Sequence, residues 1–199
     1  TMRGAGQIEW LKRELKASRG TCKIIANGSG WTRAKGPKGD SWAAFLTERD
    51  RLFDFIFTEK ITGVVLISGD THVGELNAVP GSEKGGYDLY DLVSSPLAQD
   101  TADSWLNRRP ERRIRQVYWK GSNFGALEID TTAKDPTLSF TVVDVRGIPA
   151  WKPTVLRASE LRNGVKSWDA KMDDISRLRH EQEAAGLDYY HSDPSRETD

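Results

Sequence analysis

The residues best suited to chemistry are Asp70 and His72, in the run Leu66-Ile67-Ser68-Gly69-Asp70-Thr71-His72. A carboxylate and an imidazole two positions apart suit a divalent or trivalent metal. The apolar, β-branched stretch before them, Val64-Val65-Leu66-Ile67, has the pattern of a central strand buried on both faces. Gly69 then permits a sharp exit and a close backbone approach. Ligands in α/β sheets gather at the carboxyl ends of strands, so position marks this spot as well as residue type. An Asp-x-His triplet alone arises readily by chance, and the strand end is what sets this one apart. Val73-Gly74-Glu75 reads as the rest of the loop, with Glu75 as a further carboxylate behind the motif. The other two histidines, His180 and His191, lie in the polar C-terminal tail.

A second candidate is the glycine-rich stretch NGSGWTRAKGPKGDS, residues 27–41. It has neither a P-loop nor a dinucleotide-binding spacing. Arg33, Lys35 and Lys38 could still meet an anionic substrate, although a solvated mobile loop is the better reading of these residues taken alone. Trp31 and Trp42 flank it as packing anchors. Ser94-Ser95 follows an apolar strand, but no Gly-x-Ser-x-Gly elbow accompanies it. Cys22 lies within a strand pattern with no acid-base partner and reads as a small buried hydrophobe. Tyr87-Asp88-Leu89-Tyr90-Asp91 reads as a half-exposed strand edge. The charge runs at 108–113 and 177–183 read as solvated surface.

These residues need elements to hold them. Residues 6–18 have Ile8, Leu11 and Leu15 at helical spacing, and Gly20 ends that helix. Residues 21–26 read as a short strand and 27–41 as a loop. Residues 42–60 form a helix with Phe45, Leu46, Leu52, Phe53 and Ile56 on one face, started by Asp40 or Ser41. Strands follow at 64–68 and 89–94, then a polar stretch at 99–115. Antiparallel strands are expected at 116–119, 125–129 and 138–145. From residue 158 the pattern is polar and helical, and the last nine or so residues read as disordered. The order implies an α/β layer with a mixed sheet, as one unit over 1–168 followed by a polar helical segment and tail over 169–199.

The chain has 199 residues, enough for one domain with a real core. Basic and acidic residues number 29 each, so no bulk attraction to nucleic acid or an anionic surface is indicated. No apolar run approaches the roughly 20 residues that span a bilayer. A single cysteine leaves both oxidising and reducing compartments open.

The ordered set of motifs resembles the C-terminal half of the PhoD-like (alkaline phosphatase D) family of calcineurin-like metallophosphoesterases. The motifs are Gly6-Gln7-Ile8-Glu9-Trp10-Leu11, Lys23-Ile24-Ile25-Ala26-Asn27, the glycine-rich loop ending Asp40-Ser41-Trp42, Glu48-Arg49, residues 64–72, and Tyr90-Asp91-Leu92-Val93-Ser94-Ser95. The resemblance is clearest over residues 6–99 and extends to about 168. It implies a β-sandwich of mixed sheets flanked by helices, here incomplete. It also implies hydrolysis of phosphate esters by a metal-bound hydroxide at a site of at least two metal ions, with iron, calcium, zinc or manganese all possible. Asp70 and His72 match the last ligand motif and would be both metal ligands and catalytic residues. Asn27 matches a weaker ligand position, and Glu75 would stand behind the ligands. Arg33, Lys35 and Lys38 would contact the phosphate ester.

The earlier aspartate and asparagine motifs of that superfamily have no equivalent in this sequence. A metal site needs about four or more ligands. The expectation is therefore that a missing N-terminal half of the same protein completes the site, and that the isolated chain is inactive. The family implies a secreted, periplasmic or cell-envelope setting. The alternative is a binding or structural module that keeps the fold without catalysis.

Overall fold

The computed structural model describes residues 1–187, and the expected disorder of the last nine residues, like His191, falls outside them. Helix α1 (Ala5–Ala17) and strand β1 (Lys23–Ser29) come first. A 3-10 turn at Trp42–Ala44 then leads into helix α2 (Leu46–Thr58). Strands β2 (Val64–Gly69), β3 (Gly74–Val79), β4 (Leu89–Val93) and β5 (Arg112–Tyr118) complete a five-stranded sheet in the order β1-β2-β4-β3-β5. β1, β2 and β4 run parallel, whereas β3 is antiparallel to both β4 and β5, so the sheet is mixed. A second, antiparallel sheet contains β6 (Asn123–Asp130), β7 (Thr137–Asp144) and β8 (Thr154–Arg157) in that order. Two further helices follow, α3 (Trp168–Lys171) and α4 (Asp174–Ala184).

One core joins these layers. Leu15 of α1 and Leu52, Phe53 and Ile56 of α2 share a cluster with Val64–Leu66 of β2 and with Leu138, Phe140 and Val142 of β7. Val64, Val65 and Leu66 are all fully buried. Successive strand residues point to opposite faces, so both faces of β2 are covered, as its apolar run implies. The class is α/β: a mixed sheet and a second sheet flanked by helices. Gly74 shows how closely the sheets approach, since a Cβ there would lie 2.7 Å from the Val142 side chain. Gly63 has φ +75° and enters β2 where a Cβ would lie 1.9 Å from the Thr21 carbonyl oxygen, so no larger residue fits.

Several elements differ from the sequence reading. Residues 27–29 belong to β1, and Arg33–Lys35 forms a 3-10 turn capped by the Thr32 hydroxyl. The 42–60 helix is split at Phe45, and Ser41 caps its first turn. Residues 73–75 are not loop, because β3 begins at Gly74 and is paired along both edges. Tyr87–Asp91 is not a half-exposed edge: β4 lies between β2 and β3, and all five residues are buried. The charge run at 108–113 is not wholly solvated, because Glu111 and Arg113 are buried. β5 begins at Arg112 rather than 116, and β8 is an additional strand. Residues 158–167 hold only a 3-10 turn at Ala158–Glu160, so helix begins at α3, which spans position 168. Asp173 caps α4 and also accepts the Gln116 backbone N–H at 2.7 Å, which ties that segment to β5. Among the described residues, no helix is long and apolar enough to cross a membrane.

Candidate active site

β2 ends in a tight turn. Asp70 and His72 both have positive φ, at 63° and 60°. That conformation is uncommon outside glycine and is best tolerated by Asn, Asp and His. Backbone held in sparsely populated regions clusters at functional sites. The turn is anchored by the Thr71 hydroxyl donating to the Val73 carbonyl and by the His72 N–H donating to Ser95 Oγ.

The His72 ring has a defined partner. Its Nδ1 lies 2.8 Å from the Asp100 carbonyl oxygen. A carbonyl can only accept, so in the neutral ring the proton sits on Nδ1 and the Nε2 lone pair is free. Metal-ligating histidines are characteristically held in this way. The Asp70 side chain is 45% exposed and takes a 3.0 Å ion pair from Lys35 Nζ. Lys35 also pairs with Asp40. Burial pulls the Lys35 ammonium's pKa down, but hydrogen bonds to Asp40 and Asp70 outweigh this and raise it. Gly39 leaves room for the lysine stem, since a Cβ there would lie 2.7 Å from Lys35 Cγ.

The other candidates are placed differently. Arg33 points to Glu111, with its Nε 3.5 Å from a carboxylate oxygen, and does not join Lys35 at Asp70. Lys38 is exposed. Asn27 is half-buried, with its Oδ1 accepting from Arg3 at 2.8 Å and its Nδ2 donating to the Ser29 carbonyl at 2.6 Å. Glu75 is fully buried on β3 against Trp105, Asn77 and Arg113. Burial raises its pKa, partly offset by Arg113 and by the two hydrogen bonds. Trp31 and Trp42 stack with ring centroids 4.8 Å apart and are wholly buried, as packing anchors should be. Ser95 Oγ accepts from the His72 backbone N–H rather than meeting the free Nε2 of the ring, so the two do not make the contact of a serine nucleophile with its base. Cys22 is half-buried just before β1, and burial pushes its thiol's pKa up against the opposing effect of Lys23.

Beneath the turn lies a set of charges that sequence reasoning missed. Asp91 is fully buried between Leu66 of β2 and Asn77 of β3. Its carboxylate accepts from Ser68 Oγ at 2.7 Å and from the Trp31 N–H at 2.9 Å. Burial, helped by Glu75 and Glu111, pushes its pKa up to about 7 against those hydrogen bonds. Arg49 of α2 is buried too and donates to Glu111 at 2.7 Å. A space of only ≈10 Å³ remains among Lys35, Asp70, Glu75, Asn77, Asp91 and Trp105, about the minimum for one water. One sequence signal was available. Asp88 and Asp91 are three apart, so they face opposite sides of a strand, and a single solvated face could not hold both.

The donor set tests the fit to a metal. Asp70 offers an oxygen and His72 a nitrogen whose tautomer is fixed by Asp100. Among the described residues no group of three His, Cys, Asp or Glu side chains could hold a metal ion. The pair fits part of a metal site.

A family model for PhoD-like phosphatase matches residues 1–140. A solved structure described as the structure of PhoD is similar over 92% of this chain and 41% of that one, at 17% sequence identity and a TM-score of 0.46. The chain therefore spans about two-fifths of the length of that protein. No curated protein matches it. On the family match, which covers well over half of its residues, this chain belongs to the PhoD-like phosphatase family.

Proposed function

We propose that the complete protein carrying this chain hydrolyses phosphate esters with the help of bound metal ions, and that this chain supplies the final ligand pair. The supporting observation is the Nδ1–H of His72 on the Asp100 carbonyl beside the Asp70 turn. It leaves a neutral nitrogen donor and a carboxylate at the end of a central strand. Metal ions bound there would lower the pKa of a water and neutralise charge on the phosphoryl oxygens. Asp70 contributes negative charge and His72 a neutral donor. Lys35 has three ammonium donors, so it can keep Asp70 and still donate to a phosphoryl oxygen. With two donors, the chain by itself would be inactive, and the remaining ligands would come from another part of the protein.

The test is hydrolysis of an aryl phosphate by the full-length protein, with and without a chelator, compared with Asp70→Asn and His72→Ala. Activity should be chelator-sensitive and should fall about a hundredfold or more in each variant. Activity indifferent to chelator and to both substitutions would remove the assignment.

A further inference from the structure

The backbone that carries Lys35 is held from several sides by buried side chains. Trp31 donates its N–H to Asp91 of β4 at 2.9 Å, and its carbonyl accepts from Arg49 Nη1 of α2 at 2.8 Å. The Arg33 N–H donates to Glu111, just ahead of β5, at 3.0 Å. Arg49 and Glu111 close on each other through the second carboxylate oxygen. The Trp31 indole N–H reaches the Ile67 carbonyl on β2 at 3.4 Å, and the Gly30 carbonyl accepts from Trp42 N at 3.2 Å. Asp91, Arg49 and Glu111 are 0%, 3% and 8% exposed. Burying such charges is a poor way to gain stability, because desolvation opposes the attraction. An apolar core would serve stability as well or better. What the charged residues add is direction, since each fixes one backbone group of Trp31 or Arg33.

From this arrangement we propose that Asp91 and the Arg49–Glu111 pair are positioning residues for Lys35. They clamp Trp31 and Arg33 so that the next turn delivers the ammonium to the β2 end at Asp70. Asp91 ties this clamp directly to β2 as well, through Ser68, two residues before Asp70. The loop and the strand end are thereby held by one carboxylate and keep a fixed relation. This inference rests on the proposed role of Lys35 at the phosphate.

The experiment is a double-mutant cycle in the full-length protein with Lys35→Met, Asp91→Leu and the double variant. Asp91→Asn is the conservative control, because one amide oxygen still accepts from Trp31 while its NH2 donates to Ser68. Leu138→Ala, in the second sheet, controls for general destabilisation. Lys35→Met should raise KM for an aryl phosphate about tenfold. Asp91→Leu should raise it severalfold, and the double variant no further than Lys35→Met alone. Asp91→Asn and Leu138→Ala should leave KM near wild type. A second readout needs no catalysis: acetylation of Lys35 followed by mass spectrometry. Asp91→Leu should speed that labelling severalfold, and Asp91→Asn should not. Unchanged Lys35 labelling in Asp91→Leu overturns the inference even if the protein cleaves no phosphate ester. Multiplicative KM effects in the cycle overturn it in an active enzyme.

Discussion

The two sheets treat charge and apolar surface differently, and Asp144 at the end of β7 is the one charged residue that strands β6–β8 bury among the described residues. The five-stranded sheet and its flanking segments bury Asp88, Asp91, Glu75, Glu111, Arg49 and Arg113. The three-stranded sheet leaves Phe124, Leu127, Ile129 and Val155 between 38% and 47% exposed. In the first sheet, the buried charges each contact a backbone group or a charged partner. In the second, burial fades toward β6, which among the described residues pairs only with β7. Asp91 and Glu75 lie beneath the turn that carries Asp70, whereas Asp88, just before β4, holds Ser82 and the Ser167–Trp168 backbone. The second sheet contributes bulk to the core and no candidate ligand.

The sharpest way to break this contrast is to unpair a buried ion. Arg49→Met removes a guanidinium that serves Glu111, Asp50 and the Trp31 carbonyl. Glu111 keeps the Arg33 side chain at 3.5 Å, but that partner is 61% exposed and is a weak substitute. Leaving a buried carboxylate short of its partner costs about 3–5 kcal/mol. Urea unfolding should show a loss of that size with an unchanged m-value. A loss under about 1 kcal/mol would mean that Glu111 reaches water and that the clamp is loose.

A smaller effect concerns pH. Asp91 has its folded pKa raised to about 7 from 3.8. A raised acid binds more protons in the folded state than in the unfolded state between those values. Its contribution is therefore fully present below the unfolded pKa and is lost as pH rises through about 7. Glu75, also raised by burial, acts in the same direction. Stability should fall by on the order of a few kcal/mol between pH 4 and 7 from Asp91. Asp91→Asn does not titrate, so its Tm should be flatter across that range. An unchanged slope in Asp91→Asn would show that Asp91 stays charged, stabilised by Ser68 and Trp31.

The contrast also explains how much was legible in the sequence. β2 and its Asp70-Thr71-His72 exit were readable because strand burial and turn chemistry are local signals. α1 and the α2 face were readable from helical periodicity for the same reason. The buried clamp was not. Arg49 and Glu111 are 62 positions apart, and Asp91 is 60 from Trp31, so each reads alone as a solvated charge. β3 escaped because Gly74-Glu75-Leu76-Asn77 carries polar residues that become buried only through partners on β4, β5 and the 3-10 turn holding Trp105. β8 has four residues and no periodicity to detect. Arg33, Lys35 and Lys38 look equivalent in sequence, and only the fold sends Lys35 to Asp70 and Arg33 to Glu111.

The smallest effect, at Ile129, sharpens the comparison from within the second sheet. Ile129 and Leu138 are directly opposed across β6 and β7, so they share a face. Yet Ile129 is 44% exposed and Leu138 fully buried. One strand spacing therefore separates core from surface. Leu138→Ala should cost about 2–5 kcal/mol through the cavity it leaves. Ile129→Thr keeps a β-branched residue on a strand and should change stability by no more than about 0.5 kcal/mol. Thermal melts of both variants in the 199-residue chain would measure the gradient. If Ile129→Thr proves as damaging as Leu138→Ala, then β6 is covered in solution by a surface outside the described residues. The two sheets would then differ in what covers them rather than in how they handle charge.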